Sequence, residues 1–131
     1  MSIKIGITGH SGSLGKEIVK SKFGFNYSFF KGDIRSKSKV SKWIDGEKFD
    51  AIIHLAGMNS EDCNLDPEKA ILINSKGTLD LLNAAKESKV KNFIYFSTAH
   101  VYRSPLTGFM NEKSQVNPSH SYSISNQIAE N

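Results

Sequence analysis

The chain has 131 residues, room for one domain and short for two, with 17 basic and 13 acidic residues for a net charge of +4. Hydrophobic content of 38% supplies a core and 23% charged residues is near the globular average, which excludes a disordered or low-complexity tract. One cysteine excludes an internal disulfide and points to a reducing compartment. No apolar run reaches membrane-spanning length and the N-terminus lacks a signal-peptide core, so a cytoplasmic protein is expected. Lys16, Lys20, Lys22, Lys31, Lys37, Lys39 and Lys42 spread over a predicted helix, strand and loop. That is a solvated surface rather than a nucleic-acid-binding face.

Ile3, Ile5 and Ile7 form a β-rich run that ends at Thr8-Gly9. A glycine-rich turn follows, then Leu14, Ile18 and Val19 at helical spacing. Asn26–Phe30 reads as a second strand. Val40, Trp43 and Ile44 fall on one face of a short helix, with Gly46 placed as its C-cap glycine. Asp50–Leu55 is a third, continuously apolar strand, as expected of one buried on both faces. Asp66-Pro67-Glu68 opens a helix with a capping aspartate and proline at its first position. This helix is predicted to turn Ile71, Asn74, Thr78, Leu81, Leu82 and Ala85 toward the core. Asn92–Phe96 is a fourth strand. A polar loop with Pro105, Gly108 and Pro118 leads to a last helix around Ser119–Tyr122. The alternation predicts an α/β, doubly wound parallel sheet of about four strands flanked by helices. The second strand lies beside the first, then the third and fourth, with the ligand crevice between strands one and three.

Thr8-Gly9-His10-Ser11-Gly12-Ser13-Leu14-Gly15 places glycines every third residue between a strand and a helix. Gly9 permits the tight turn, Gly12 lets backbone amides approach a pyrophosphate, and Gly15 allows close helix–strand packing. The helix start adds free N–H groups and a positive dipole end. A P-loop is excluded, because Glu17 follows Gly15-Lys16 where a hydroxyl must ligate magnesium. His10 reads as a solvent-facing loop residue, His54 as a satisfied core histidine, and Cys63, in a polar stretch, as incidental. No residue is assigned to a metal.

The turn at residues 8–15 is followed in order by Gly32-Asp33-Ile34-Arg35, His54-Leu55-Ala56-Gly57 and Asn74-x-x-Gly77-Thr78-x-x-Leu81-Leu82. Ser97-Thr98-x-x-Val101-Tyr102 and a helix-opening Tyr122 come next. With these motifs the whole chain resembles the N-terminal half of the extended short-chain dehydrogenase/reductase family, the NAD(P)-dependent nucleotide-sugar epimerases, dehydratases and reductases. The resemblance implies a Rossmann-like fold and a dinucleotide cofactor, NAD, with NADP the alternative that Lys31 and Arg35 favour. Gly9, Ser11, Gly12, Ser13, Leu14 and Gly15 would hold the pyrophosphate. Asp33 would contact the adenine with Ile34 packing on the ring. Leu55, Ala56 and Gly57 would line the crevice, and Asn74 would support the active site from the long helix. Thr98 would hydrogen-bond the substrate oxygen and Tyr122 would act as acid/base.

A tyrosine with its ordinary pKa of ~10 is a poor base. The family lowers that value with a lysine four residues on, on the same helical face. Here that position is Asn126, which carries no charge but has an amide able to bond a ribose hydroxyl. The proton-transfer machinery is therefore expected to be impaired, leaving either a weakened epimerase or reductase or a non-catalytic, vestigial dinucleotide-binding module. A domain that binds no nucleotide is the third reading. The dehydrating relatives carry acidic residues at the Ala99 and His100 positions, which argues against a 4,6-dehydratase. Family members run to roughly twice this length, so residues 1–131 are expected to be an incomplete NAD(P)-binding domain without its C-terminal substrate lobe. The fourth strand would then be an open edge inviting self-association. Expected partners are the dinucleotide and, in a longer relative, a nucleotide sugar, with no nucleic acid and no membrane.

Overall fold

The computed structural model describes residues 2–21 and 23–131; Met1 and Lys22 lie outside the described residues. The strands are β1 (Lys4–Thr8), β2 (Asn26–Phe29), β3 (Ala51–His54) and β4 (Asn92–Tyr95). They form one parallel sheet in the order β2-β1-β3-β4. Helices α1 (Ser13–Lys20) and α2 (Lys37–Glu47) form the first two connections. The third is composite: α3 (Ser60–Leu65), α4 (Pro67–Ala70), a π-helical segment Ile71–Lys76 and α5 (Gly77–Glu87). A 3₁₀ turn at Ala99–Val101 follows β4, and α6 (Ser121–Glu130) ends the chain. The sheet order and element alternation are those read from the sequence.

The register places Thr8 of β1 opposite His54 of β3, and His54 opposite Tyr95 of β4. The C-terminal ends of these strands therefore finish level, and the loops that leave them share one rim. Beneath the sheet, Val40 and Ile44 of α2, Ile52 of β3 and Leu81 of α5 are fully buried with Phe30, Ile34, Phe49, Ala84 and Ala85 around them. Each such aliphatic side chain contributes about 1.5–3 kcal/mol by leaving water. Trp43 closes the edge of this cluster against Phe30 and Phe49.

Four expectations change. Helix α1 buries no apolar stripe: Leu14 and Val19 are exposed, and its one buried residue is Gly15. Ile71 and Leu82 are also exposed, while Ala70, Ser75 and Asp80 are buried beside Asn74, Thr78, Leu81 and Ala85. The π-helical segment rotates the following turns away from ideal helical periodicity. Ser60–Leu65, which has no apolar period, folds as a short helix around the buried Cys63.

Helix α2 runs through Gly46, and Lys48 at φ +52° takes the left-handed cap. A Cβ built on Gly46 meets nothing within 4 Å. Gly46→Ala is accordingly expected to stabilise the chain by about 0.5–1 kcal/mol, read as a raised urea midpoint at unchanged slope.

Candidate active site

The glycine turn is shaped by its own backbone. Gly9 has φ +74°, and a Cβ there would lie 2.6 Å from the Ala56 nitrogen. A Cβ on Gly15 would lie 2.5 Å from the Gly9 oxygen. Gly12 is the N-cap of α1, no side chain caps that helix, and Ser11, Gly12, Ser13 and Leu14 are all exposed. The amides of the first turn thus face outward at the positive end of the helix dipole. This start, capped by no side chain, fits a pyrophosphate.

Ala56 N–H donates to Thr8 Oγ1 at 3.2 Å, which seats the β3 exit loop beside the turn. Thr8 Oγ1 lies 2.6 Å from His54 Nδ1, and His54 Nε2 lies 2.8 Å from Thr78 Oγ1. The Thr78 hydroxyl donates to the Asn74 carbonyl at 2.6 Å. With its proton so placed, Thr78 Oγ1 accepts from His54 Nε2–H. His54 Nδ1 then accepts from the Thr8 hydroxyl, so the ring is the neutral Nε2–H tautomer. Burial holds the His54 pKa down at about 4. His54 is the satisfied core histidine the sequence suggested.

A cleft of about 170 Å³ opens at the level ends of β3 and β4. It is lined by Leu55, Ala56 and Gly57 from the β3 exit, Met58 and Asn59 beyond them, Tyr95 and Phe96 from β4, and Tyr122 and Asn126 from α6. Tyr122 is half-buried and lines the cleft from the first turn of α6. Thr98 does not line the cleft: it caps the 3₁₀ turn, its Oγ1 accepting the His100 N–H at 3.2 Å. His100 in turn packs against Tyr122, with ring centroids 6.1 Å apart.

Both ends of the Asn126 amide, expected to be able to bond a ribose hydroxyl, are engaged within the protein. Asn126 is 6% exposed; its Oδ1 accepts the Tyr95 hydroxyl at 2.6 Å and its Nδ2 donates to the Tyr122 carbonyl at 2.8 Å. Burial, then the neighbouring Glu130 and Tyr122, hold the Tyr95 phenol well above the usual tyrosine range, so it remains a donor.

Asn74, expected to support the active site from the long helix, is buried behind the β3 exit loop. It is 2% exposed, its Oδ1 accepts the Met58 N–H at 2.7 Å, and its Nδ2 donates to Ser125 Oγ at 3.0 Å. It therefore ties the cleft-lining loop to α6. Cys63, read as incidental, is fully buried within 3.5 Å of Asn74 Nδ2. Its thiol pKa is raised by burial.

Ile34, expected to pack on the adenine ring, has its side chain buried against Gly77. Asp33 beside it is exposed. Its carboxylate takes the Arg35 guanidinium at 2.6 Å and the Arg35 N–H at 2.9 Å. Those hydrogen bonds hold its pKa at about 2. An adenine ligand at this turn meets a carboxylate already paired.

His10 is half-buried rather than solvent-facing, its ring 5.0 Å from that of Phe29. Tyr95, His120 and Ser125 were missed by sequence reasoning. Only the alternation of Phe93 and Tyr95 along β4 hinted at one of them. Among the described residues no helix is long and apolar enough to cross a membrane, and no cluster of three His, Cys, Asp or Glu residues could hold a metal.

A parallel α/β sheet in this order, with an uncapped glycine turn after β1 and a tyrosine-lined cleft at the ends of β3 and β4, defines the Rossmann-like class of protein. Within it, the chain belongs to the NAD dependent epimerase/dehydratase family, whose model matches residues 13–131. It is 34% identical over 106 residues to the human dTDP-D-glucose 4,6-dehydratase, covering 80% of this chain and 30% of that protein. It is 32% identical over 91 residues to the Pisum sativum UDP-glucose 4-epimerase, covering 69% of this chain and 26% of that protein. Among solved structures, a dTDP-4-dehydrorhamnose reductase from Clostridium acetobutylicum superposes with a TM-score of 0.86 at 28% identity. That match covers 98% of this chain and 48% of the reductase. The chain thus spans less than a third of those two curated relatives.

Proposed function

We propose that this chain is the dinucleotide-binding part of a nucleotide-sugar epimerase or reductase whose acid–base step is weakened by Asn126. The carrying observation is the open start of α1 beside the cleft that Tyr122 lines. Gly9, Ser11, Gly12, Ser13, Leu14 and Gly15 hold the pyrophosphate, Asp33 borders the adenine end, and Leu55, Ala56 and Gly57 line the path to the cleft. NAD is the preferred cofactor and NADP the alternative. When bound, its nicotinamide accepts or returns the hydride of a sugar carbinol. Tyr122 Oη takes or gives the accompanying proton, and the Thr98 hydroxyl, whose oxygen caps the 3₁₀ turn beside the cleft, donates its own proton to a sugar oxygen lying beyond the cleft mouth. The likeness to a dehydratase does not extend to acidic side chains at Ala99 and His100, which favours epimerisation or reduction.

A neutral amide at position 126 leaves Tyr122 without the positive charge that favours phenolate. In the full-length protein, Asn126→Lys is expected to raise turnover about a hundredfold or more, in the range of general acid–base effects. Because Asn126 Oδ1 accepts from Tyr95, the larger gain is expected when Tyr95→Phe accompanies it. Unchanged turnover in both variants counts against the impaired-catalyst reading.

The reading as a whole is tested by calorimetric titration of the chain with NAD⁺ and with NADP⁺. Binding of either supports it and identifies the cofactor. Binding of neither by a folded chain removes the catalytic reading and favours a vestigial module.

A further inference from the structure

Three titratable rings meet where α6 begins. The ring centroids of His100 and His120 are 5.5 Å apart, those of His100 and Tyr122 6.1 Å, and those of His120 and Tyr122 6.3 Å. They arrive from different pieces of chain. His100 stands in the turn that Thr98 caps, whereas His120 is the N-cap of α6. The two histidines are not equivalent. His120 Nδ1 accepts the Ser123 N–H, and Ser123 Oγ accepts the His120 N–H in return, which closes a capping box. Protonating His120 would turn that acceptor into a donor and put a cation at the positive end of a helix. The lone-pair nitrogen of His120 is therefore already engaged. His100 carries no such duty: its side chain is exposed and its neighbour in the cluster is the tyrosine.

Among the described residues, Tyr95 from β4 interacts electrostatically with Tyr122 and with Glu130 near the end of α6, which accepts from Ser97. Tyr95 donates its proton to Asn126 Oδ1, so it is not free to exchange one with Tyr122. Asn126 itself has no proton to give or take at ordinary pH. That leaves the His100 imidazole as the group able to exchange a proton with the phenol and with bulk water.

We propose that His100 is the proton-exchange partner of Tyr122, connecting the phenol at the cleft to solvent in place of a charged group at position 126. This rests on the reading of Tyr122 as the acid–base residue. The step is a proton transfer alone. When Tyr122 must act as a base, its O–H bond breaks and an N–H bond forms on the unprotonated nitrogen of His100, directly or through one water. This leaves phenolate beside imidazolium. The phenolate takes the proton of the sugar hydroxyl, and the imidazolium releases its own to water. When Tyr122 must act as an acid, the same transfers run backward and His100 restores the phenol. His120 keeps the rings together without taking the proton.

The test follows the ζ-carbon signal of Tyr122 by NMR in the complete chain, with ¹³C-labelled tyrosine, from pH 5 to pH 9. It compares the native chain with His100→Gln and with His120→Asn, the latter because asparagine retains a good N-cap. The native signal is expected to show one inflection within this pH range. The inflection is expected to vanish in His100→Gln and to persist in His120→Asn. A native signal flat between pH 5 and pH 8, or an inflection that survives His100→Gln, overturns the proposal. Cofactor titration is a separate measurement. Its failure would strike the functional reading, whereas the tyrosine signal reports on the His100–Tyr122 coupling alone.

Discussion

Lowering the pH from 6.5 to 4 is expected to cost this chain about 3 kcal/mol of stability through His54 alone. The ring is fully buried between Thr8 and Thr78, and burial lowers its pKa from 6.5 to about 4. The unfolded chain therefore binds a proton that the folded chain refuses throughout this window, and stability rises with pH there. The contribution is complete above pH 6.5, falls as the pH drops toward 4, and is gone below that. The size follows from about 1.4 kcal/mol per tenfold change in proton affinity. For a domain of this size that is a large share of the total. Urea unfolding at pH 7, 6, 5 and 4 measures it, and ¹⁵N shifts of the ring check its cause by showing the neutral Nε2–H tautomer still in place at pH 5. A urea midpoint flat from pH 7 to pH 4.5 would mean that the ring is hydrated or that the threonine pair does not hold it neutral. Asp33, lowered from 3.8 to about 2 by Arg35, begins to lose its own contribution only as the pH falls through 3.8, at the lower edge of this window.

The threonine–histidine chain also shows where the sequence speaks and where it falls silent. His54 within an apolar strand already implied a satisfied core histidine, because a buried imidazole must find partners. Which partners they are could not be read, since Thr8 and Thr78 lie 46 and 24 residues away. Local signals did better. The glycine spacing of residues 8–15 specifies a strand–turn–helix, and Asp66-Pro67 starts its helix as expected, with Asp66 accepting the Lys69 N–H. Sheet order followed from handed crossovers rather than from particular residues.

What failed were inferences that carried a period across a distant contact. The segment Ile71–Lys76 widens where Ser75 Oγ donates to the Ser125 carbonyl and Asn74 Nδ2 to Ser125 Oγ. Those bonds join residues about 50 apart in sequence, and they accompany the rotation that leaves Ile71 and Leu82 outside. Tyr95 and Asn126 are likewise 31 residues apart. The substitution at position 126 was visible as a missing charge, but the phenol that binds the replacement was not.

Two glycines of the same turn are expected to fail for different reasons, and that difference isolates ligand binding from folding. In Gly15→Ala the new methyl carbon would lie 2.5 Å from the Gly9 oxygen and 2.6 Å from the His10 Cα. Both belong to backbone that cannot swing aside, so the turn must deform. Overpacking of this kind costs about 1–3 kcal/mol and more where the neighbours are rigid. The expected result is a lowered urea midpoint together with lost dinucleotide affinity. In Gly12→Ala the backbone is already extended, at φ −72° and ψ 171°, which any residue adopts. The added methyl carbon meets only the Gly9 oxygen, at an ordinary 3.4 Å. Its other side is open, on the face where the first-turn amides of α1 point outward. The chain should fold with a midpoint lowered only by the N-cap preference of glycine over alanine, about 0.5–1 kcal/mol, yet hold NAD⁺ or NADP⁺ about tenfold to a hundredfold more weakly, since the methyl group occupies the pyrophosphate's approach. Calorimetry and urea unfolding on the two variants separate the cases. If Gly12→Ala binds as well as the native chain while Gly15→Ala is destabilised, the glycines serve packing alone and the pyrophosphate does not lie at this turn. If Gly12→Ala loses affinity while its midpoint falls by no more than the cap preference, the open start of α1 is the binding surface, because the fold of the turn is kept.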